Sequence, residues 1–304
     1  MSNRINFSFS LPRPDPEPDP SSIDTCLAIA EGVERSGLEA VSVSDHPFPL
    51  EQPGQAGHQA HDPFVMLGYL AGATSSVRLH FSLIVLPYRN PFLVARMLGT
   101  LDLVSRGRVI AALGLGYLRP EFEALGADRE HRVEDFAGSV AAMRAAWTGE
   151  PVTLSGRGWR AAGNRMLPVP FTSPHPVLWC GGNTQRAIDH AVRDFDGWSP
   201  FEVNEAGSAM TRSASSSLST LPDQLAGLRE SIERQGRTTP IDVCFVRTSR
   251  RWHQDESRAV DELGRLAELG VTWVEFTVAG TEAAEIVDNI DRFAELARRA
   301  GVRD

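Results

Sequence analysis

The sequence predicts one α/β domain over residues 1–304, a closed (β/α)8 barrel of parallel strands. Three observations predict it. Short apolar segments alternate with longer segments of helical periodicity along the chain, and this alternation implies a parallel sheet with helical crossovers. There are eight such units and no doubly wound signature. One strand, Val77–Leu86 (VRLHFSLIVL), has a continuous apolar half suited to burial on both faces. A length of 304 residues is ordinary for such a barrel with insertions.

The elements follow in order. Ile5–Ser10 reads as the first strand. The proline-rich Leu11–Pro20 can be neither helix nor central strand and reads as an extended loop. Ser21-Ser22 caps a helix with an apolar stripe of Cys26, Leu27, Ile29, Ala30 and Val33, and Gly37 ends it. The second strand begins at Ala40. A loop rich in Gly, Gln and His covers Leu50–His61. Asp62-Pro63 starts the helix Phe64–Thr74, with proline at a tolerated first-turn position. After the third strand, Asn90-Pro91 opens a helix to about Val104 that stops near Gly107. Arg108–Leu113 is the fourth strand and Glu130–Trp147 a long helix closed by Gly149. Val152–Pro170 reads as a glycine-punctuated hairpin insertion. Val177–Cys180 is the fifth strand, followed by the helix Gln185–Val192. Asp196–Pro200 is a short sixth strand. The serine-rich Ala206–Thr220 shows no periodicity and is expected to be mobile, placed to act as a lid. Asp223–Gln235, Ser257–Leu269 and Thr281–Arg299 read as helices, around strands seven (Ile241–Val246) and eight (Val271–Val278).

The charge of −9 and a pI near 5.4 argue for a soluble chain that repels nucleic acid in bulk. Cys26, Cys180 and Cys244 are odd in number and widely spaced, which suggests neither a disulfide framework nor a Cys-based zinc site. No run is long enough to cross a membrane, and the N-terminus has no signal-peptide pattern; the cytoplasm is the default expectation.

The chemistry centres on Ala40–Pro49 (AVSVSDHPFP). Val41 and Val43 alternate with Ser42 and Ser44, and the strand then stops at Asp45-His46 before Pro47. A titratable pair at the C-terminal end of a strand stands where an α/β barrel keeps its active site. His46 is the best candidate acid or base near neutral pH, with Asp45 beside it. The competing reading is a loop histidine satisfied by a nearby carbonyl.

Two glycine turns follow later strands. In Gly181-Gly182-Asn183-Thr184 a strand runs into a helix, so unpaired amides and the helix dipole favour an anion such as a phosphate. Asn183 or Thr184 could cap the helix and also touch that phosphate. A tight turn that binds nothing is the equal alternative. Gly114-Leu115-Gly116 lacks the third glycine of a dinucleotide fingerprint, since Arg119 holds that place. Gly114 and Gly116 either clear space for a flat ring lying across the strand ends or relieve crowding in the barrel. His58, His61 and Asp62 lie in an expected surface loop without a second ligand cluster, so no metal is expected. Trp179, Trp198 and Tyr117 either line a ring-shaped ligand or pack in the core. There is no G-x-S-x-G elbow and no P-loop.

Together these stretches resemble the bacterial luciferase-like superfamily of flavin and deazaflavin oxidoreductases, whose fold is a TIM barrel. The resemblance runs nearly end to end. It is carried by AVSVSDHPF, by TSSVRLHFSLIVLPYRNPFLVARMLGTLDLVSRGRVIAALGLGYLRPEFEALG and by PHPVLWCGGNTQRAIDHAVRDFDGWSP. Of the branches, the one that uses coenzyme F420 is the most similar. The resemblance implies a ring against the ends of strands two to four, with His46 and Asp45 near its reactive carbon. It implies a non-prolyl cis peptide at Ser82-Leu83 behind the ring. It implies that Gly114 and Gly116 approach the cofactor and that Gly181, Gly182, Asn183 and Thr184 hold its phosphate. The activity implied is hydride transfer between F420 and an organic small molecule. One alternative is an FMN-dependent monooxygenase supplied with reduced flavin by a separate reductase. Another is a flavin- or deazaflavin-binding protein without turnover. A homodimer is implied as well. The chain departs from the pattern at His80 and Phe81, where small residues are usual and bulk would narrow the ring site, and in its serine-rich stretch.

Overall fold

The computed structural model describes residues 4–14, 19–50, 58–211, 213–247, 252 and 254–304. The first half of the chain holds β1 (Asn6–Ser10), α1 (Ile23–Arg35), β2 (Ala40–Val43), α2 (Pro63–Ala73), β3 (Arg78–Val85), a 3-10 turn (Leu86–Tyr88), α3 (Pro91–Ser105), β4 (Val109–Gly114), α4 (Arg119–Ala124) and α5 (Arg132–Trp147). A hairpin, β5 (Val152–Gly156) and β6 (Trp159–Asn164), follows. The second half holds β7 (Val177–Gly181), α6 (Gln185–Asp194), β8 (Gly197–Ser199), α7 (Glu205–Thr211), α8 (Leu221–Gln235), β9 (Asp242–Val246), α9 (Glu256–Leu269), β10 (Trp273–Phe276) and α10 (Ala283–Arg299). Eight strands close a barrel in the order β1-β10-β9-β8-β7-β4-β3-β2, and β5-β6 stands apart as a two-stranded antiparallel sheet. The eight barrel strands are those read from the sequence, and the insertion is a hairpin as read.

The helix starts are set by side chains. Ser22 accepts from the Thr25 amide, Asp62 from those of Phe64 and Val65, Asn90 from that of Phe92 and Thr184 from that of Ala187. Each satisfies an amide that the first turn leaves without a partner.

The chain divides into two compact units. In the unit made of Met1–Ser42, Ser76–Arg78 and Trp179–Asp304, Phe7, Phe276 and Phe293 form the heart of the packing between strands and α10. Phe276 and Phe293 stack at 3.7 Å, and Phe7 meets Phe293 edge-on at 5.2 Å. Trp179 and Trp273 meet edge-on at 5.3 Å. In the unit made of Val43–Ser75 and Leu79–Leu178, α2, α3 and α5 pack beside β3 and β4. There Phe81 is fully buried and lies 4.9 Å from Phe64 of α2. Its bulk packs against that helix.

The end of strand three needs correction, and two further stretches hold structure that the sequence reading does not assign. Strand three ends at Val85, because Leu86–Tyr88 turns in a 3-10 helix with proline inside it. The short helix α4 lies in a stretch to which the sequence reading assigns no element; Pro120 stands in its first turn, where proline is tolerated. The serine-rich stretch is not structureless. Glu205–Thr211 is helical, and Val203 and Ser216 exchange backbone hydrogen bonds at 2.9 and 3.0 Å. Its hydroxyls bond locally: Ser216 is buried and donates to Gln224, and Ser208 donates to the Ser213 carbonyl. Serine is not a hydrophobe, so a periodicity reading misses structure held this way. The loop expected at Leu50–His61 falls largely outside the described residues.

Candidate active site

β2 delivers Asp45 and His46 just beyond its C-terminal end. Asp45 turns inward and its side chain is 1% exposed. Arg89 grips it with both nitrogens, Nη1 to Oδ2 at 2.6 Å and Nη2 to Oδ1 at 2.7 Å. The Val85 amide donates to the same Oδ2 at 2.9 Å. Burial pushes the Asp45 carboxyl above its ordinary value, and Arg89, the Val85 amide and His46 oppose this without cancelling it. A carboxylate with both oxygens engaged and almost no solvent access is a poor proton carrier. Through the Val85 amide it ties the end of β2 to the end of β3.

His46 turns the other way. Its Nδ1 lies 3.3 Å from Oε2 of Glu121, contributed by α4. Glu121 also accepts from the Tyr88 hydroxyl at 2.8 Å and from the Phe48 amide at 3.2 Å. Burial alone would raise the Glu121 carboxyl. Hydrogen bonds from His46 and Tyr88, with the His46 charge and the Phe48 amide, outweigh it and hold Glu121 below its ordinary value. Tyr88 is pushed up, by burial first and then by the Glu121 charge, so it stays a neutral donor. An ionised Glu121 accepts only, so the shared proton sits on His46 Nδ1, and Nε2 is the nitrogen left for chemistry.

This arrangement has a consequence in acid. A carboxyl depressed on folding stabilises the fold above its unfolded value, and that stability is lost as pH falls through the depressed folded value. Replacing Glu121 by glutamine is expected to flatten the acid limb of stability below about pH 4.3, the ordinary Glu value. Urea unfolding across that range checks it; an unchanged acid limb would count against an ionised, depressed Glu121.

The Ser82-Leu83 peptide bond of β3 is cis, as the resemblance implies. Ser82 and Leu83 are part-exposed between buried neighbours. A Cβ on Gly114 would stand 2.5 Å from Leu83 Cδ1. One on Gly116, where φ is 70°, would stand 2.5 Å from Val85 Cγ1 and 3.1 Å from Phe122. Both glycines admit β3 side chains at the strand ends, so crowding explains them directly. The part-exposed Leu83 leaves apolar surface toward the C-terminal end of β3. Around His46 stand His58 and Tyr117, with ring centroids at 5.0 and 6.4 Å.

The second glycine turn lies in the other unit. Gly182 has φ 125°, a conformation that side chains rarely adopt. Its amide reaches the Ser199 carbonyl at 3.3 Å. Thr184, not Asn183, caps α6. Asn183 is 2% exposed, and its amide group donates to the Phe201 and Ala214 carbonyls and accepts from the Phe201 amide. Its side chain thus holds the serine-rich stretch through the Ala214 carbonyl.

Asp45, His46, Ser82, Leu83, Gly114 and Gly116 thus gather in one unit, while Gly181, Gly182, Asn183 and Thr184 belong to the other. Sequence reasoning missed Glu121, Tyr88 and Arg89 as site residues. The available signal was the Glu121-Phe122 and Arg89-Asn90 pairs inside the longest family-like block. Among the described residues no group of three or more His, Cys, Asp or Glu side chains could hold a metal. Among them, too, no helix is long and apolar enough to cross a membrane.

The fold is thus a closed parallel barrel with the Glu121-bonded imidazole just beyond its second strand. The family model for luciferase-like monooxygenases matches residues 6–217, and the chain belongs to that family. An uncharacterized protein of Mycobacterium tuberculosis is 26% identical over 235 residues, 77% of this chain and 75% of its own. The FMNH(2)-dependent dimethylsulfone monooxygenase of Pseudomonas putida is 28% identical over 180 residues, 57% of this chain. The aligned part spans only 47% of that enzyme. Among solved structures, an F420-dependent secondary alcohol dehydrogenase in complex with an F420-acetone adduct superposes with a TM-score of 0.78 at 17% identity. That match covers 99% of this chain and 100% of the other. Luciferase-like oxidoreductases with F420 and with FMN thus both stand among its neighbours.

Proposed function

We propose that this protein moves a hydride between coenzyme F420 and an organic substrate, with His46 as the acid or base. The observation that carries the proposal is the Glu121-oriented imidazole at the C-terminal end of β2, its Nδ1 committed and its Nε2 left for a proton. In this reading Ser82, Leu83, Gly114 and Gly116 back the ring, and Gly181, Gly182, Asn183 and Thr184 form the phosphate turn, with Asn183 shaping it. Asp45 and Arg89 fix the loop that carries His46. When bound, a deazaflavin supplies two-electron hydride chemistry, because carbon replaces the reactive flavin nitrogen. The chain supplies the proton: His46 Nε2 gives or takes it, while Glu121 holds the tautomer and steadies the charge that forms on the ring.

The Pseudomonas putida relative favours a second reading, an FMN-dependent monooxygenase served by a separate reductase. Fluorescence titration of the apoprotein with F420 and with FMN separates them. Selective F420 binding is the expected result. Selective FMN binding with oxygen uptake would replace it. The place of work is the cytoplasm in either reading, and the partners are small molecules and a second copy of the chain.

A homodimer is part of this reading. Val65 (73% exposed), Tyr69, Leu93, Val104 (66%), Leu167 and Phe171 lie open on α2, α3 and the segment beside them. The Arg96 guanidinium of α3 donates to the Leu167 carbonyl, so that segment borders α3 directly. Helix α2 contains no charged residue. At roughly 100 Å² each, these side chains offer on the order of 600 Å² of apolar surface, approaching the ~800 Å² per partner of a standard interface. With a net charge of −9, two copies repel except through an uncharged face. Sedimentation velocity should show a dimer that Val65→Asp with Leu93→Asp converts to monomer. A monomeric wild-type protein at micromolar concentration would refute the assignment.

A further inference from the structure

Asp45 and His46 follow β2, and Tyr88 and Arg89 end the 3-10 turn that follows β3. The two pairs are matched. Arg89 holds Asp45 directly. Tyr88 reaches His46 through Glu121, and it does so on one atom. Glu121 Oε2 accepts from the Tyr88 hydroxyl at 2.8 Å and stands 3.3 Å from His46 Nδ1. Oε1 accepts from the Phe48 amide at 3.2 Å. A carboxylate oxygen has two lone-pair sites and can serve two donors. Here they do not share it equally. The phenol bond has ordinary length, whereas the imidazole stands outside the roughly 2.7–2.9 Å of a charge-assisted N–H···O⁻ bond. The Tyr88 ring is fixed in this place: it packs edge-on against Phe122, the residue after Glu121 in α4, at 4.7 Å between centroids.

We infer that Tyr88 is a positioning residue for His46: by taking the larger share of Glu121 Oε2 it keeps the Glu121–His46 bond long, so that the imidazole can release a proton it has taken up. This rests on the reading of His46 as the acid or base. An imidazole set alone against an ionised carboxylate is driven toward the imidazolium, because an opposite charge favours the charged form. Locked in that form it is no longer a base, and it returns its proton reluctantly. A hydrogen bond from a neutral donor steadies the carboxylate and makes it a weaker partner for the imidazolium. Glu121 receives two such bonds, and the one from Tyr88 falls on the oxygen that His46 uses. The Phe48 donor is backbone, so the Tyr88 hydroxyl is the donor that a substitution can remove. His46 is also faced by His58 from the segment before α2 and by Tyr117 from the turn after β4. Asp45, paired to Arg89, precedes it in the chain. Replacing Tyr88 by phenylalanine leaves all of these groups in place and keeps the aromatic ring that packs on Phe122.

The test is a double-mutant cycle on the full chain without cofactor, read by NMR titration of the carbon-bound ring protons of His46. Their signals are identified by their loss in His46→Ala. In Tyr88→Phe, Glu121 has one donor fewer and draws more strongly on the imidazolium. The pH at which the His46 ring loses its charge should therefore rise, by about half to one unit, the worth of one hydrogen bond. In Glu121→Gln there is no carboxylate charge to share, and adding Tyr88→Phe to it should leave the His46 titration where Glu121→Gln alone puts it. A hydroxyl that only helps the fold would move the His46 titration in neither background. An unmoved titration in Tyr88→Phe, a downward movement, or an equal rise beside Glu121→Gln would each overturn the assignment. The cycle needs no turnover, so its failure is distinct from failure of the hydride-transfer reading, which unchanged turnover in His46→Ala would bring down.

Discussion

Replacing His46 by alanine is expected to lower turnover by roughly 10²–10⁴, the usual worth of a positioned acid or base. In the proposed reading cofactor affinity should change little, because Leu83 and the glycine ends of β4, which would back the ring, are left in place by the substitution. The two effects separate in one preparation: fluorescence titration reports the affinity, and single-turnover reduction or oxidation of bound cofactor reports the chemical step. Glu121→Gln sharpens the test. Glutamine keeps the size and an acceptor oxygen but removes the charge that fixes the proton on His46 Nδ1. It should reduce the chemical step less than the loss of His46 does and more than it reduces binding. If His46→Ala turns over as the wild type does, the imidazole is only a satisfied loop histidine and the proton comes from elsewhere.

The barrel was legible because its cause is local. Strand and helix periods alternate, and proline and glycine mark the boundaries, so eight units can be counted without any long-range knowledge. The end of β2 was legible for the same reason: Pro47 stops the ladder and leaves Asp45 and His46 at the mouth. The division of labour between those two was not legible. It depends on Arg89, 44 positions away, and on Glu121, 75 positions from His46. No spacing rule links such partners; the closed sheet brings them together. The glycines illustrate a different limit. Sequence shows that Gly114 and Gly116 lack side chains, but only the packing shows Leu83 and Val85 filling the space. Asn183 follows two glycines at a helix start, where the sequence alone points to a phosphate turn. Its three hydrogen bonds to Phe201 and Ala214 depend on a loop return that composition hides.

Arg89→Met should be the most destabilising single change in the site. It leaves the Asp45 carboxyl buried at 1% exposure with only the Val85 amide and the His46 charge to steady it. Breaking a buried pair from one side typically costs about 3–5 kcal/mol, because the remaining charge has lost its compensation. The double change Arg89→Met with Asp45→Asn removes that charge and should recover a large part of the loss, since a neutral amide can still accept from the Val85 amide. Urea unfolding of the two single variants, the double variant and the wild type closes the cycle. A loss below about 1 kcal/mol in Arg89→Met would mean that the ion pair behaves like an exposed one. The same cycle bears on the chemistry. Asp45 holds the Val85 amide, Val85 fills the space at Gly116, and His46 follows Asp45 directly in the chain. A loosened Asp45 should therefore lower the chemical step in Arg89→Met under conditions where the variant is still folded, and the double variant should regain part of it. Stability restored without any return of rate would show that the guanidinium acts on the reaction itself, beyond holding the loop in place.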